Sequence, residues 1–253
     1  MRSNSECRGV PCAEVRDRRR CLLASLVLLL SLAAPAQQPS GQPGAPVSTS
    51  APPAPAPPLV LIDPAHGGAD PGAMLNVAIP EKDVNLSVAR RLRQDLVARG
   101  VAVQLVREAD GTFPADQRAA MANATRPALY LAIHSSSTGG GLTVFSAMLP
   151  PAVQGRGPFL DWSTAQSLAV QRSRTARDVI VSAIQKTGFP VHGLIAALPP
   201  LNNITVPALA VEIAPPTGEI AQLASNDYQQ MICAALANAV AGAMPSLKAN
   251  PKP

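Results

Sequence analysis

Four acidic or imidazole side chains lie within or just after apolar runs that have the composition of buried strands. Asp63 and His66 follow the run LVLI, and His134 closes the run ALYLAIH. Glu212 lies near the carboxyl end of a third run, ALAVEIA, where a carboxylate is costly unless it meets a cation or several hydrogen-bond donors. In open α/β sheets, sites form beyond the carboxyl ends of the strands, so these side chains are expected to converge there.

His66 and His134, together with one carboxylate, would provide the usual ligand set of a catalytic Zn²⁺ ion, which keeps a fourth position for water. Such an ion lowers the pKa of that water to about 7 and polarises a carbonyl group. The carboxylate is either Glu81, at the start of a predicted helix, or Glu212, and spacing alone does not choose between them. The same donors form the facial triad of non-haem iron enzymes. Those sites usually lie in all-β barrels, however, and this chain has an α/β pattern.

The segments that must position these residues alternate between strand and helix patterns. Between 82 and 99, apolar residues recur on one helical stripe, and Gly100 is a typical residue for ending a helix. Strands are predicted at 59–62, 101–107, 128–134, 142–148 and 208–214, and further helices at 114–124, 164–187 and 226–243. This alternation predicts a single α/β domain whose mostly parallel central sheet is flanked by helices on both faces.

Residues 1–36 have the organisation of an export signal. A basic segment ending in RDRRR precedes an apolar run of about 14 residues, and a small-x-small pattern ends at Ala36. The pattern predicts cleavage before Gln37. The alternative is an uncleaved membrane anchor, although the run is shorter than the roughly 20 residues that span a bilayer. Eight prolines in 37–58 predict a disordered, extended linker. A globular composition then covers 59–245, and 246–253 is expected to be a disordered tail.

The charge balance and the cysteines exclude several classes of protein. The chain has 21 Lys and Arg and 16 Asp and Glu, of which residues 1–36 hold six and three. The remainder therefore has 15 basic and 13 acidic residues, a net charge of +2. This balance excludes a nucleic-acid-binding composition. Cys233 is the one cysteine outside 1–36, which excludes a disulfide framework and a thiolate metal site in the rest of the chain.

Six motifs, taken together, are similar to those of a known family. They are LIDPAHGGADPGA, EKDVNL, VREAD, RAAMAN, LYLAIH and PALAVEI. Their order and approximate spacing resemble the zinc-dependent N-acetylmuramoyl-L-alanine amidases with the type-3 catalytic domain, over nearly all of 59–243. The resemblance implies that His66, Glu81 and His134 bind Zn²⁺. It also implies that Glu212 is an unligated carboxylate that takes a proton from the bound water and passes it to the leaving nitrogen.

The resemblance further implies a substrate and a location. An exported enzyme would act on peptidoglycan in the periplasm or cell envelope, at the amide between the lactyl group of N-acetylmuramic acid and the L-alanine of the stem peptide. We expect a monomer, no nucleic-acid partner, and membrane contact only through 1–36 if that segment is retained. Two alternatives share the fold: a non-catalytic peptidoglycan-binding module, and an amidase or peptidase that acts on another exported peptide.

Residues close to the predicted ligands are expected to support them. Asp63 is expected to fix the loop or to orient a ligating histidine. Gly67 and Gly68 are expected to give backbone freedom and to leave room above the ion. Ala65 stands where the family usually has glycine, which indicates that this position does not need a positive φ. Structural roles are expected for the remaining polar residues of the motifs, Arg107, Asp110, Arg118 and Asn123.

The chain departs from the family on both sides of the expected cleft. Three serines at 135–137 replace the usual small residue, Asn and Ala, and IAPPTG follows Glu212 in place of the usual Gly-Phe. These changes leave the ligands and the base intact and affect the expected substrate contacts. His192 belongs to no motif and is expected to have a surface or loop-packing role.

Overall fold

The structure is a computed structural model that describes residues 56–149, 162–215 and 219–248. The predicted export segment, most of the predicted linker and the last residues of the predicted tail lie outside the described residues. The strands are β1 Leu59–Pro64, β2 Ala102–Leu105, β3 Leu129–Ser135, β4 Gly141–Ala147, β5 Val191–Ala196 and β6 Ala208–Ala214. The α-helices are α1 Glu81–Val97, α2 Ala115–Thr125, α3 Val170–Gln185 and α4 Asn226–Lys248.

The six strands form one mixed sheet in the order β2-β1-β3-β6-β4-β5. The first four of these are mutually parallel, so their carboxyl ends lie at one edge of the sheet. β4 runs antiparallel to β6, and β5 runs parallel to β4. The predicted α/β class with a mostly parallel sheet is therefore confirmed.

Each face of the sheet carries its own hydrophobic core. On one face, here called the α1 face, strand residues such as Ile62 and Val211 pack into a cluster with side chains of α1, α3 and α4. On the other, here called the α2 face, Leu61 and Tyr130 pack with residues of α2 and of the short 3-10 turn Leu201–Asn203. Helices thus flank the sheet on both faces, as predicted.

The C-terminal helix α4 belongs to the core on the α1 face. Its stretch Asn226–Leu247 has the length and apolar composition of a membrane-spanning helix, but half of that stretch is buried inside the domain. This burial is typical of the core helix of a folded domain. The helix continues to Lys248, so residues 246–248 are helical, and the predicted disordered tail begins too early.

Two features of the fold differ from the sequence prediction. Strand β5 was missed because it lies at the sheet edge, contains a histidine and a glycine, and exposes most of its side chains. The predicted helix at 164–187 is instead a 3-10 turn, Trp162–Leu168, followed by α3. Ala169, between the two, leaves the helical region with φ −129°, which ends one helix before the next begins.

Candidate metal centre

His66, Glu81 and His134 meet at the carboxyl ends of β1 and β3. His66 lies in the loop after β1, Glu81 is the first residue of α1, and His134 is the penultimate residue of β3. One possible ligand atom of each lies within 4.8 Å of the other two. Among the described residues, no other group of three or more His, Cys, Asp or Glu side chains is arranged in this way. The structure thus brings two imidazoles together with the carboxylate of Glu81 rather than that of Glu212.

The Glu81 carboxylate lies between the two imidazole rings. Its Oε1 atom is 3.0 Å from Nδ1 of His134, and its Oε2 atom is 3.2 Å from Nε2 of His66. The backbone N–H groups of Ala73 and Ser135 and the side-chain amide of Asn85 donate hydrogen bonds to the same carboxylate. The amino end of α1 adds a favourable field for negative charge. Glu81 is therefore held in one orientation although it is buried.

These contacts keep Glu81 ionised. Burial opposes ionisation, but hydrogen bonds with His134, His66 and the Ala73 N–H outweigh it and hold the pKa of Glu81 well below its ordinary value. The hydrogen bond with Glu81 raises the pKa of His66 to about 9 against the effect of burial, and a hydrogen bond with Asp70 adds to the increase. A site of this kind binds protons in the absence of metal, and a divalent cation would displace them.

His66 is positioned through both its backbone and its ring. Its φ of 63° lies in the left-handed region, which is uncommon for a residue other than glycine. Ala65 does not have a positive φ, as predicted. Oδ2 of Asp70 is 2.8 Å from Nδ1 of His66, which leaves Nε2 directed towards Glu81. Asp70 was not predicted from the sequence, although HGGAD places a carboxylate four residues after the histidine.

The glycines of this loop lie close to other residues than those predicted. Gly67 and Gly68 have positive φ values of 131° and 60°, so the predicted backbone freedom is confirmed. The predicted room above the ion is wrong for both, because added Cβ atoms would meet the segment at Gly111 and Thr112. Gly72 is the glycine that borders the cluster, since a Cβ there would lie 2.7 Å from the side chains of Glu81 and His66.

Glu212 lies beside the cluster and outside it. It pairs in register with His134 across β6 and β3, so both side chains point to the same face of the sheet. Glu212 is half-buried and makes no side-chain hydrogen bond within the described part of the chain. Burial raises the pKa of Glu212, and the neighbouring His134 and Glu81 act on it in opposite directions. Its carboxylate is therefore available to accept a proton.

Residues 60–242 match the family described as N-acetylmuramoyl-L-alanine amidase. The chain belongs to this amidase family. The matched range contains His66, Glu81, His134 and Glu212. It also contains all of strands β2 to β6, and β1 from its second residue onwards. The resemblance that the six motifs carry is thereby confirmed.

Relatives of the amidase chain include proteins from phages and bacteria. The endolysin of Bacillus phage SPP1 is 32% identical over 156 residues, which cover 61% of this chain and 53% of the phage protein. The N-acetylmuramoyl-L-alanine amidase AmiC of Neisseria meningitidis is 33% identical over 103 residues, which cover 41% of this chain and 22% of that protein. The amidase chain thus spans about half or less of the length of these curated relatives.

Solved amidase structures have the same fold. Ami1 from Mycobacterium smegmatis superposes with a TM-score of 0.60 at 23% identity, covering 74% of this chain and 97% of that one. AmiC2 of Nostoc punctiforme gives a TM-score of 0.52 at 25% identity, covering 72% of this chain and 94% of that one. At such identities the likeness supports the architecture of the domain.

Two buried arginines hold the loop that carries His66. Arg118 pairs with Asp63 and donates a hydrogen bond of 2.8 Å to the carbonyl of His66. Arg107 donates to the carbonyl of Pro64 at 2.9 Å. Asp63 contacts Arg118 and the hydroxyl of Tyr130 rather than a histidine ring, so it fixes the loop.

The other predicted structural residues are also bonded within the protein. Asp110 accepts hydrogen bonds from the Gly68 N–H and from Nζ of Lys82, both at 2.7 Å. Asn123 joins α2 to the segment after the turn Leu201–Asn203, because it accepts from the Thr205 N–H at 2.7 Å. The structural roles predicted for these two residues and for the two arginines agree with these contacts.

Ser135, one of the departures from the family, supports the candidate metal centre. Its backbone N–H donates to Glu81, and its hydroxyl donates to Oδ1 of Asn85 at 2.8 Å. Asn85 in turn donates to Glu81. The second departure, after Glu212, lies partly outside the described residues.

Replacing Arg118 with Met is expected to lower the free energy of unfolding by about 3–5 kcal/mol, because the buried Asp63 carboxylate loses its cation. Denaturant unfolding followed by circular dichroism measures the loss. Arg93→Met is the matched control, since it breaks a more exposed pair with Glu108 and is expected to cost less than about 1 kcal/mol. Equal losses in the two variants would contradict the role given to Arg118.

Proposed function

We propose that the chain is an exported, zinc-dependent peptidoglycan hydrolase that cleaves the amide between N-acetylmuramic acid and the L-alanine of the stem peptide. The observation that carries the proposal is the pairing of a three-residue ligand set with a separate carboxylate. His66, Glu81 and His134 lie within ligand distance of one another, and Glu212 stands in register beside them without a hydrogen bond of its own within the described chain. Family membership supports the reaction class.

The residues present fit a zinc ion. Two imidazoles and one carboxylate are the donor set that catalytic zinc sites use. Asp70 holds the ring of His66 from its far side, and Asn85 and Ser135 hold Glu81, so each of these ligands has an orienting partner. The absence of a side chain at Gly72 keeps the space next to Glu81 and His66 free. When bound, the ion would supply Lewis acidity for the substrate carbonyl and ease the deprotonation of water.

Glu212 would transfer the proton in both halves of the reaction. Because no donor in the described part of the chain holds its carboxylate, an oxygen atom of Glu212 can accept the proton of the attacking water. The pKa of Glu212 is raised by burial, which strengthens it as a base. The same carboxyl group then gives the proton to the nitrogen of L-alanine as the amide C–N bond breaks. The products are a muramic carboxyl group and a free amine.

Export and the wall substrate are parts of the same proposal. Residues 1–36 have the pattern of an export signal, and peptidoglycan lies outside the cytoplasm. The relatives bear the names of an endolysin and of N-acetylmuramoyl-L-alanine amidases, which supports a wall polymer as the substrate.

Digestion of purified peptidoglycan by the full chain tests the proposal. Mass spectrometry is expected to find free stem peptides with an amino-terminal alanine and glycan strands with unsubstituted muramic acid. A chelator should abolish their release, and added Zn²⁺ should restore it. Binding to the polymer without any release would support a non-catalytic module instead. Cleavage at another bond would assign a different hydrolase.

Gly72→Ala is expected to weaken Zn²⁺ binding by about tenfold or more, because the new Cβ would displace Glu81 or His66. Its φ of 67° also adds backbone strain of about 1–2 kcal/mol. Gly100→Ala is the control, since it has a φ of 76° and no atom within 4 Å of the added Cβ. Isothermal titration with Zn²⁺ should separate the two variants. Equal affinities would show that Gly72 does not keep the site open.

A further inference from the structure

A row of polar side chains crosses the sheet from the metal centre to its edge. His134 of β3 pairs in register with Glu212 of β6, Glu212 with Thr143 of β4, and Thr143 with His192 of β5. Residues that pair in register across a sheet present their side chains to the same face. The four residues therefore form one row, called here the polar row, on the α2 face.

The outer half of the polar row is open to solvent. Thr143 is half-buried, and His192 is exposed. Neither makes a side-chain hydrogen bond within the described residues. Phe145 of β4 and Leu194 of β5 pair in register beside them on the same face, and Leu194 is 50% exposed. Leu194 and these polar groups lie on the face to which His134 and Glu212 project. Together they form a surface suited to a ligand with both polar and apolar parts.

The opposite face of β5 contacts α3 and serves as a contrast. A Cβ at Gly193 would lie 3.3 Å from Val181 and 3.5 Å from Arg177, both in α3. Arg177 also donates hydrogen bonds to Ser146 and to the Leu194 carbonyl. Strand β5 is thus held by α3 on the α1 face, and no described residue hydrogen-bonds to the side chains of Thr143 and His192 on the α2 face. The exposure of His192 is therefore not caused by poor attachment of β5 to the rest of the domain.

The order of residues along the polar row indicates which half of the substrate would lie over its outer end. His134 belongs to the centre where the scissile carbonyl would lie. Glu212, which follows it, gives its proton to the leaving nitrogen and must lie within hydrogen-bond reach of that atom. Thr143 and His192 continue beyond Glu212 on the same side. In the proposed reaction this order places them on the amine side of the scissile bond, where the stem peptide leaves.

We propose that Thr143, His192, Phe145 and Leu194 form a subsite for the stem peptide, an inference that rests on the proposed amidase function. Neighbouring strands are about 4.8 Å apart, so His192 lies about 10 Å from Glu212 along the row. That distance corresponds to about three residues of extended peptide. The hydroxyl of Thr143 and the ring of His192 donate hydrogen bonds to carbonyl or carboxylate oxygens of the peptide. Leu194 covers its aliphatic parts.

Binding of the two product halves tests the subsite without relying on turnover. The full chain is titrated calorimetrically with a synthetic tetrapeptide that begins with L-alanine and has the stem-peptide sequence, and separately with N-acetylmuramic acid. His192→Ala is expected to weaken tetrapeptide binding by about tenfold or more, and Thr143→Val by a smaller factor. Neither substitution is expected to change the affinity for the sugar. Ile195→Ala, on the opposite face of the same strand, is the control and should leave both affinities unchanged.

Kinetics on a muramoyl tetrapeptide provide the second readout. Loss of a contact made equally in the ground and transition states raises KM and leaves kcat unchanged. We expect that pattern for His192→Ala. The inference is overturned if the tetrapeptide binds the variant as tightly as the wild type, if the sugar loses affinity instead, or if the wild type binds no tetrapeptide. The proposed function fails separately, if the wild type releases no peptide from peptidoglycan.

Discussion

Glu212→Gln is expected to lower kcat for peptidoglycan cleavage by about 10²- to 10⁴-fold while leaving Zn²⁺ binding unchanged. The amide keeps the size of the carboxylate but cannot accept the proton of the attacking water. Glu212 has no hydrogen-bond partner within the described chain that the substitution would disturb. The folding of the variant should therefore match that of the wild type.

The measurement combines metal content with hydrolysis rate for the same preparations. Glu219→Gln is a matched control, because Glu219 is an exposed carboxylate on the same chain whose partner Gln222 lies at the surface. It should retain full activity and full metal content. Substantial hydrolysis by Glu212→Gln would remove Glu212 from the role of base. Loss of metal from the same variant would instead place Glu212 among the ligands.

The architecture and the main site residues could be predicted because their signals are local. LVLI and ALAVEIA are continuous apolar runs typical of strands buried on both faces, and both are central strands of the sheet. The parallel arrangement then brings their carboxyl ends together, which explains why His66, His134 and Glu212 converge as the sequence indicates. The choice of Glu81 over Glu212 as third neighbour of the histidines depends on how α1 approaches the sheet. Spacing along the chain does not contain that information.

The features that could not be predicted depend on contacts between segments that are distant along the chain. Gly67 and Gly68 adjoin the segment at 111–112 rather than the cluster, a contact that no local pattern encodes. Asp70 was missed because a carboxylate in a glycine-rich loop is also common in ordinary turns. His192 could not be interpreted before β5 was known. Only the register of β5 against β4 places it in the same row as Glu212.

Glu81→Gln is expected to abolish stoichiometric Zn²⁺ binding and, with it, hydrolysis. Changes in groups that only orient a ligand typically weaken metal binding by about 10- to 100-fold, so loss of the ligand charge itself should cost more. The rings of His66 and His134 would also lose the charged carboxylate that they contact through Oε2 and Oε1. The N–H groups of Ala73 and Ser135 contact different oxygens of Glu81, so the single amide oxygen of Gln can accept from only one of them. Losing the other hydrogen bond is expected to cost about 1–3 kcal/mol, which leaves the domain folded.

Asp83→Asn is the matched control for Glu81→Gln. Both variants remove one negative charge from the first turn of α1, so the loss of interaction with the helix dipole is comparable. Asp83 is exposed, however, and Glu81 is buried between the imidazoles. Elemental analysis and Zn²⁺ titration should therefore find full occupancy in Asp83→Asn and none in Glu81→Gln, with both variants folded. If Glu81→Gln retained one tightly bound ion, the metal would have to be held by the two histidines with another group. The division of roles between Glu81 and Glu212 would then be wrong, because Glu212 is the carboxylate that stands in register with His134.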